Sequence, residues 1–126
     1  MNRVWINGCF DVLHRGHIEL INFASSYGTL RVGIDTDDRV RKLKGQNRPF
    51  NNIADRVYVM KNIKGVDGVE AFYTEEELEY CIKNWNPKYI FVGDEYRDKK
   101  VIGSQYCEEV IYFKKIKGYS TSKILG

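Results

Sequence analysis

Asn7-Gly8-Cys9-Phe10-Asp11-Val12-Leu13-His14-Arg15-Gly16-His17 is the stretch on which the fold of this chain turns. An apolar run, Val4-Trp5-Ile6, enters it as a strand would. A helical rhythm leaves it, with Ile18, Ile21 and Phe23-Ala24 spaced for one buried face. Between strand and helix lie two glycines and two histidines, His14 and His17, separated by Arg15-Gly16. A glycine-bearing loop that runs into a helix N-terminus offers open backbone N–H groups at the positive end of a dipole. That is an anion site, most often used for phosphate. Two imidazoles beside it can donate to the same anion, so phosphoryl chemistry is expected.

Plainer readings of the histidines exist. A histidine near a helix start commonly caps it or lies on the surface, and paired histidines also ligate zinc. No Cys, Asp or Glu cluster elsewhere has ligand spacing, so no protein-built metal site is expected. The segment is specific because Gly8, Phe10, Asp11, His14, Gly16 and His17 occur together, after a strand and before a helix. This run resembles the G-x-F-D-x-x-H-x-G-H signature of the cytidylyltransferase-like nucleotidyltransferases. The resemblance implies a catalytic role for His14 and His17, and nucleotide contacts from Gly8, Cys9, Phe10, Asp11 and Gly16.

Composition fits that class. At 126 residues, one domain spanning 1–126 is expected. A net charge of +3 is too mild to argue for nucleic acid. No stretch approaches the ~20 apolar residues of a membrane span. No charged-then-apolar leader is visible, so export is not expected. The three cysteines, Cys9, Cys81 and Cys107, make neither a disulfide framework nor a zinc knuckle, and read as reduced thiols in a cytoplasm.

Strand and helix patterns alternate. Strands are expected at 3–7, 30–35, 69–73, 89–92 and 109–113. Helices are expected at 17–27, with Gly28 as the stop, at 53–63, and after the Thr74 cap with its acidic first turn Glu75-Glu76-Glu77. Asn86-Pro87 ends the last of these. Such alternation predicts an α/β fold: a Rossmann-like, doubly wound, five-stranded parallel sheet with helices on both faces. Ligands in such sheets bind beyond the strands' carboxyl ends, where strand order reverses, and the histidine loop follows the first strand.

Three further clusters bear on that edge. After the second strand comes Asp35-Thr36-Asp37-Asp38, then five cations within residues 39–48: Arg39, Arg41, Lys42, Lys44 and Arg48. A solvated helix face is one reading. The other follows from Lys42-Leu43-Lys44-Gly45 with Arg48-Pro49, which resembles the family's mobile lysine loop. It implies that Lys44 reaches the α-phosphate as pyrophosphate leaves, with Lys42 second. Asp35, Lys42 and Arg48 are then substrate-binding candidates. Gly93-Asp94 opens onto the same edge and, in the resemblance, lies against base and ribose; a turn aspartate is the alternative. Gly118-Tyr119-Ser120-Thr121-Ser122 resembles the family's hydroxyl-rich segment for the outer phosphates, where capping alone would explain Ser120. Arg56 matches an arginine that reaches phosphates in relatives, or is a surface helix arginine.

Two subfamilies compete. Stand-alone glycerol-3-phosphate cytidylyltransferases share the size, the histidine motif and the Gly93-Asp94-Glu95 segment. The adenylyltransferase domains of bifunctional heptose-phosphate kinase/adenylyltransferases share more: Asn7-Gly8-Cys9-Phe10-Asp11, Leu43-Lys44-Gly45 with Arg48-Pro49, Val66-Asp67, and Gly103 after Tyr96. Lys115 stands where the glycerol enzymes carry an arginine. The resemblance therefore implies transfer of a nucleoside monophosphate, from ATP before CTP, to a phosphorylated sugar or polyol. Mg²⁺ is expected with the triphosphate and a homodimer as the assembly; neither nucleic acid nor membrane is an expected partner. A non-catalytic nucleotide-binding module is the remaining alternative.

Overall fold

The computed structural model describes residues 1–114. In chain order these form β1 (Arg3–Gly8), α1 (Arg15–Ser25), β2 (Thr29–Asp35), α2 (Asp37–Lys44), α3 (Ile53–Lys61), β3 (Val66–Phe72), α4 (Glu75–Trp85), β4 (Tyr89–Gly93) and β5 (Glu109–Phe113). Two 3₁₀ turns, Asp94–Tyr96 and Ser104–Tyr106, bridge β4 and β5. The sheet order is β3-β2-β1-β4-β5, and every pairing is parallel. This is the expected five-stranded Rossmann-like α/β sheet.

Strand alternation supplies two cores. Val4 and Ile6 of β1 face one side with Leu30, Val32 and Ile34 of β2, Phe91 of β4, Ile21 and Ala24 of α1 and Met60 of α3. Trp5 and Ile90 face the other side, against Phe72, Leu78 and Ile82 of β3 and α4. Neighbours in sequence thus bury on opposite faces, as the period-two geometry of a strand requires.

Several boundaries differ from the sequence reading. Helix α1 starts at Arg15 rather than His17, because His14 and not a later residue caps it. Strand β3 starts at Val66 rather than Val69. Val66 pairs with Leu30 ahead of a register shift, so the polar Asp67 and Gly68 are carried within the strand. Helix α3 ends at Lys61, with Asn62 as its cap, rather than at residue 63.

The largest difference is in the basic segment. Residues 37–44 are helical, so Lys44 ends a helix instead of sitting in a loop. Asp37 and Asp38 occupy the first turn, Arg41, Lys42 and Lys44 the last, and Val40 is buried. That charge order complements the helix dipole, and Val40 is the helix's one buried residue.

Gly33 is needed for a close approach. A Cβ there would lie 2.5 Å from Trp5 Cζ2, since the indole lies across the strand with its Nε1 donating to Asn7 Oδ1 at 2.9 Å. Gly33→Ala should therefore cost about 1–3 kcal/mol in urea unfolding, the range for overpacking a filled core. Gly68→Ala, whose Cβ would meet only the movable Arg31 side chain at 3.3 Å, should stay within about 0.5 kcal/mol of the parent. Equal effects at both positions would contradict this packing.

Candidate functional site

Strand order runs one way from β1 through β2 to β3 and the other way through β4 to β5, so the switch point lies between β1 and β4. Their carboxyl ends, Asn7-Gly8-Cys9 and Val92-Gly93, line a cleft of about 290 Å³. Phe72, Leu78, Val101 and Ile102 supply its apolar lining, and Arg39, Lys44 and Lys100 its cations. Asp35 is the sole carboxylate among these lining residues.

The two histidines close the start of α1 on each other. His14 Nδ1 accepts the Gly16 N–H at 3.0 Å, and His17 Nδ1 accepts the His14 N–H at 3.1 Å. This reciprocal arrangement is a capping box built from imidazoles. An accepting Nδ1 carries no proton, so each ring is the neutral tautomer with its hydrogen on Nε2. The rings lie side by side with centroids 4.0 Å apart. No acidic residue occupies the first turn of α1, so no carboxylate there competes for an anion at the positive helix end. The capping reading of the histidines holds at their Nδ1 atoms. Phe10, just upstream, holds φ at +49° while its ring packs into the α1-side core and against His17.

Beneath this loop lies a buried polar clamp. Asp11, with its side chain 0% exposed, accepts from Phe50 N at 2.6 Å, Asn51 N at 2.7 Å and Arg48 Nε at 3.1 Å. Asn51 returns a bond through Nδ2 to the Asp11 carbonyl at 2.8 Å. Arg56, also 0% exposed at its side chain, donates to the carbonyls of Cys9, Asp35 and Asn51 and to Asp37 Oδ1, at 2.7–2.9 Å. Its guanidinium thus donates to protein oxygens in the interior, which corrects the expectation of a surface position. Asp11 and Arg48 are likewise partners of each other, turned to holding the chain.

The remaining candidates separate by position. Gly8, Cys9, Asp35, Lys44 and Gly93 line the cleft; Lys42 and Arg48 do not. Lys42 lies on the exposed face of α2. Gly16 is held in the cap of α1. Asp94 opens the 3₁₀ turn and pairs with Arg97. Tyr119, Ser120, Thr121 and Ser122, with Lys115, lie outside the described residues. Burial pushes the Cys9 thiol up, as do Asp11 and Asp35, against the opposing pull of Lys44 and Arg56. Among the described residues no group of three or more His, Cys, Asp or Glu side chains could hold a metal ion. No described helix is long and apolar enough to cross a membrane. Lys100 was not singled out from the sequence, Arg39 was read only as one of the five cations of its segment, and Tyr96 only as part of the segment after β4. Only the Asp35-to-Arg39 spacing, four apart across the junction of β2 and α2, could have signalled the ion pair.

The family profile described as cytidylyltransferase-like matches residues 5–125, nearly the whole chain. The chain belongs to the cytidylyltransferase-like family. A protein named bifunctional protein HldE from Helicobacter hepaticus is 39% identical over 123 residues, covering 97% of this chain and 25% of that protein. Its namesake from Aliarcobacter butzleri is 40% identical over 124 residues, covering 97% of this chain and 26% of the relative. The chain spans about a quarter of the length of these relatives. A crystal structure of the lipopolysaccharide core biosynthesis protein from Thermoplasma volcanium superposes with a TM-score of 0.70 at 24% identity, covering 95% of this chain and 99% of that one. At that identity the likeness bears on the fold alone.

The clamp makes two measurable demands on this cytidylyltransferase-like chain. Arg56→Met keeps the side chain's length but strands buried carbonyls, and should cost about 3 kcal/mol or more in urea unfolding. An unchanged stability with a raised KM for triphosphate would return Arg56 to a phosphate role. Burial pulls the Asp11 carboxyl up, but the Asn51 and Phe50 N–H groups and Arg48 outweigh it and leave it below its ordinary value. The folded protein therefore binds fewer protons at Asp11 than the unfolded chain. The resulting stabilisation is complete above about pH 4 and is lost as pH falls through the folded value. Asp11→Asn should be less stable at neutral pH and lose that part of the acid dependence.

Proposed function

We propose that this protein transfers a nucleoside monophosphate from a triphosphate, ATP in preference to CTP, to the phosphate of a sugar such as a heptose 1-phosphate. The observation that carries the reading is the imidazole capping box and a cation-lined cleft on the two sides of the end of β1, at the switch point. One arrangement fixes two ring donors and a helix N-terminus next to the carboxyl end of β1. The residues shared with bifunctional heptose-phosphate kinase/adenylyltransferases support the acceptor class, as do the bifunctional HldE relatives.

An oxygen of the acceptor phosphate attacks the α-phosphorus in line. A new P–O bond forms, the α–β bond breaks, and pyrophosphate leaves with its electron pair. The acceptor oxygen is already ionised at neutral pH, so no general base is required. Nε2 of His14 and of His17 donate to the phosphate oxygens that gain charge, and Lys44 adds a cation from the end of α2. Mg²⁺ bound to the triphosphate would lower the charge of the leaving group. A CTP-dependent transfer to glycerol 3-phosphate is the competing reading, favoured by the Gly93-Asp94-Glu95 segment. A binding module without catalysis has no use for the full cation set.

The test is a grid of nucleoside triphosphates against phosphorylated sugars and polyols, read by pyrophosphate release. ATP with a heptose 1-phosphate should be the best pair; CTP with glycerol 3-phosphate as the best pair would transfer the protein to the competing reading. His17→Ala should lower turnover roughly 10²–10³-fold with much smaller loss of triphosphate binding. His17→Gln restores an acceptor at the third helical position for the His14 N–H, so it should keep the helix start yet remain slow. Full activity in His17→Gln would reduce the histidine to a cap.

A further inference from the structure

The cleft and the histidine loop lie on opposite faces of the sheet. Phe10 and Leu13 of the loop pack into the α1-side core. The cleft residues Phe72, Leu78, Val92, Val101 and Ile102 belong to the α4-side core. Between them stands the carboxyl end of β1, where Gly8 and Cys9 line the cleft and Lys44 lies close enough to Cys9 to act on its thiol. An in-line displacement needs entering and leaving oxygens on opposite sides of the phosphorus. With the leaving pyrophosphate at the histidines and the α-phosphorus over the end of β1, the nucleophile has to come from the cleft side.

Arg39 is built for that task. Its Nε donates to Asp35 Oδ1 at 2.6 Å, the two side chains being 18% and 13% exposed. Its guanidinium carbon lies 5.3 Å from the Phe72 ring centroid. The guanidinium makes no other hydrogen bond among the described residues, so its remaining N–H groups are fixed in direction without a protein acceptor. A rigid fork of this kind suits a phosphate monoester. Arg41, one turn face away, is 42% exposed and paired with Asp38, and does not line the cleft. Lys100 lines the cleft from the segment after β4, while Arg39 comes from the helix after β2. These strands flank β1, so the two cations approach from its two sides. Neither Lys100 nor Lys44 makes an ion pair among the described residues. At about 290 Å³ the cleft has room for one sugar phosphate.

Resting on the nucleotidyl-transfer reading, we propose that Arg39, aimed by Asp35 and Phe72 and assisted by Lys100, is the seat of the acceptor's phosphate. The apolar lining from Val101, Ile102 and Leu78 lies against the acceptor's carbon skeleton. Asp35 acts as a positioning residue through Arg39, in place of the direct substrate contact expected from sequence.

The proposal is tested by steady-state kinetics with ATP and a heptose 1-phosphate, together with calorimetric titration of the same sugar phosphate without turnover. Arg39→Gln should raise the acceptor KM about 10- to 100-fold, the value of a lost charged hydrogen bond. The KM for ATP should stay within about twofold, and Arg39→Lys should recover part of the loss. Lys100→Ala should raise the same KM by a smaller factor. Asp35→Asn should raise it too, but add nothing in an Arg39→Gln background. An unchanged acceptor KM in Arg39→Gln, or a raised ATP KM in its place, overturns the assignment and gives the cleft to the nucleotide. Sugar phosphate that binds the parent and not Arg39→Gln, without pyrophosphate release under any condition, would keep the seat and retire the transferase reading. Release with Arg39→Gln unimpaired would do the reverse.

Discussion

The site depends on one buried guanidinium. Arg56 is fully enclosed and holds the carbonyls of Cys9, Asp35 and Asn51 together with the Asp37 carboxylate. Those oxygens come from the end of β1, the end of β2, the connection before α3 and the first turn of α2. Backbone carbonyls at strand ends have lost their sheet partners, and burying them unpaired costs about 1–3 kcal/mol each. One planar cation with fixed donor directions satisfies two of them, with the Asn51 carbonyl as a third, and neutralises a carboxylate beside it. Asp11 performs the converse service for N–H groups at residues 50 and 51. Together they lock the histidine loop to the segment that precedes α3 and to the start of α2, and so set where Lys44 and Arg39 stand relative to His14 and His17.

This arrangement explains why so many polar residues near the site do no chemistry themselves. Arg48, Asp11 and Arg56 are spent on the frame, and His14 and His17 each give it one ring nitrogen. Cations that line the cleft, Arg39, Lys44 and Lys100, are the ones the frame does not use up. Preorganisation of this kind matters for phosphoryl transfer, where stabilisation comes from donors already in place as charge moves.

The sheet was legible because its strands are short apolar runs that alternate with helical periods, and because Thr74 and Asn86-Pro87 mark helix ends through local chemistry. The histidine site was legible because six residues co-occur at one strand-to-helix junction. The basic segment was left open between a solvated helix face and a mobile loop, since the single buried residue of α2, Val40, gives almost no apolar periodicity and its helicity rests on charges ordered along the dipole. Arg56 was misplaced because local sequence does not distinguish a helix-surface arginine from one that reaches back to two strand ends. Arg39 and Lys100 meet only in three dimensions, so nothing short of the fold could bring them to one cleft. The hydroxyl-rich segment at 120–122 remains a reading of sequence.

A single displacement across the end of β1 is the central claim, and Cys9 is the side chain placed to break it. Its thiol is held above the ordinary value chiefly by burial, which keeps it protonated and a poor nucleophile at neutral pH. The most direct measurement is the stereochemical course at phosphorus, using a nucleoside triphosphate of defined chirality carrying sulfur on the α-phosphate. Transfer to the acceptor should proceed with inversion of configuration. Retention would require two displacements through a nucleotidyl-enzyme intermediate, and would contradict the geometry assigned to this site.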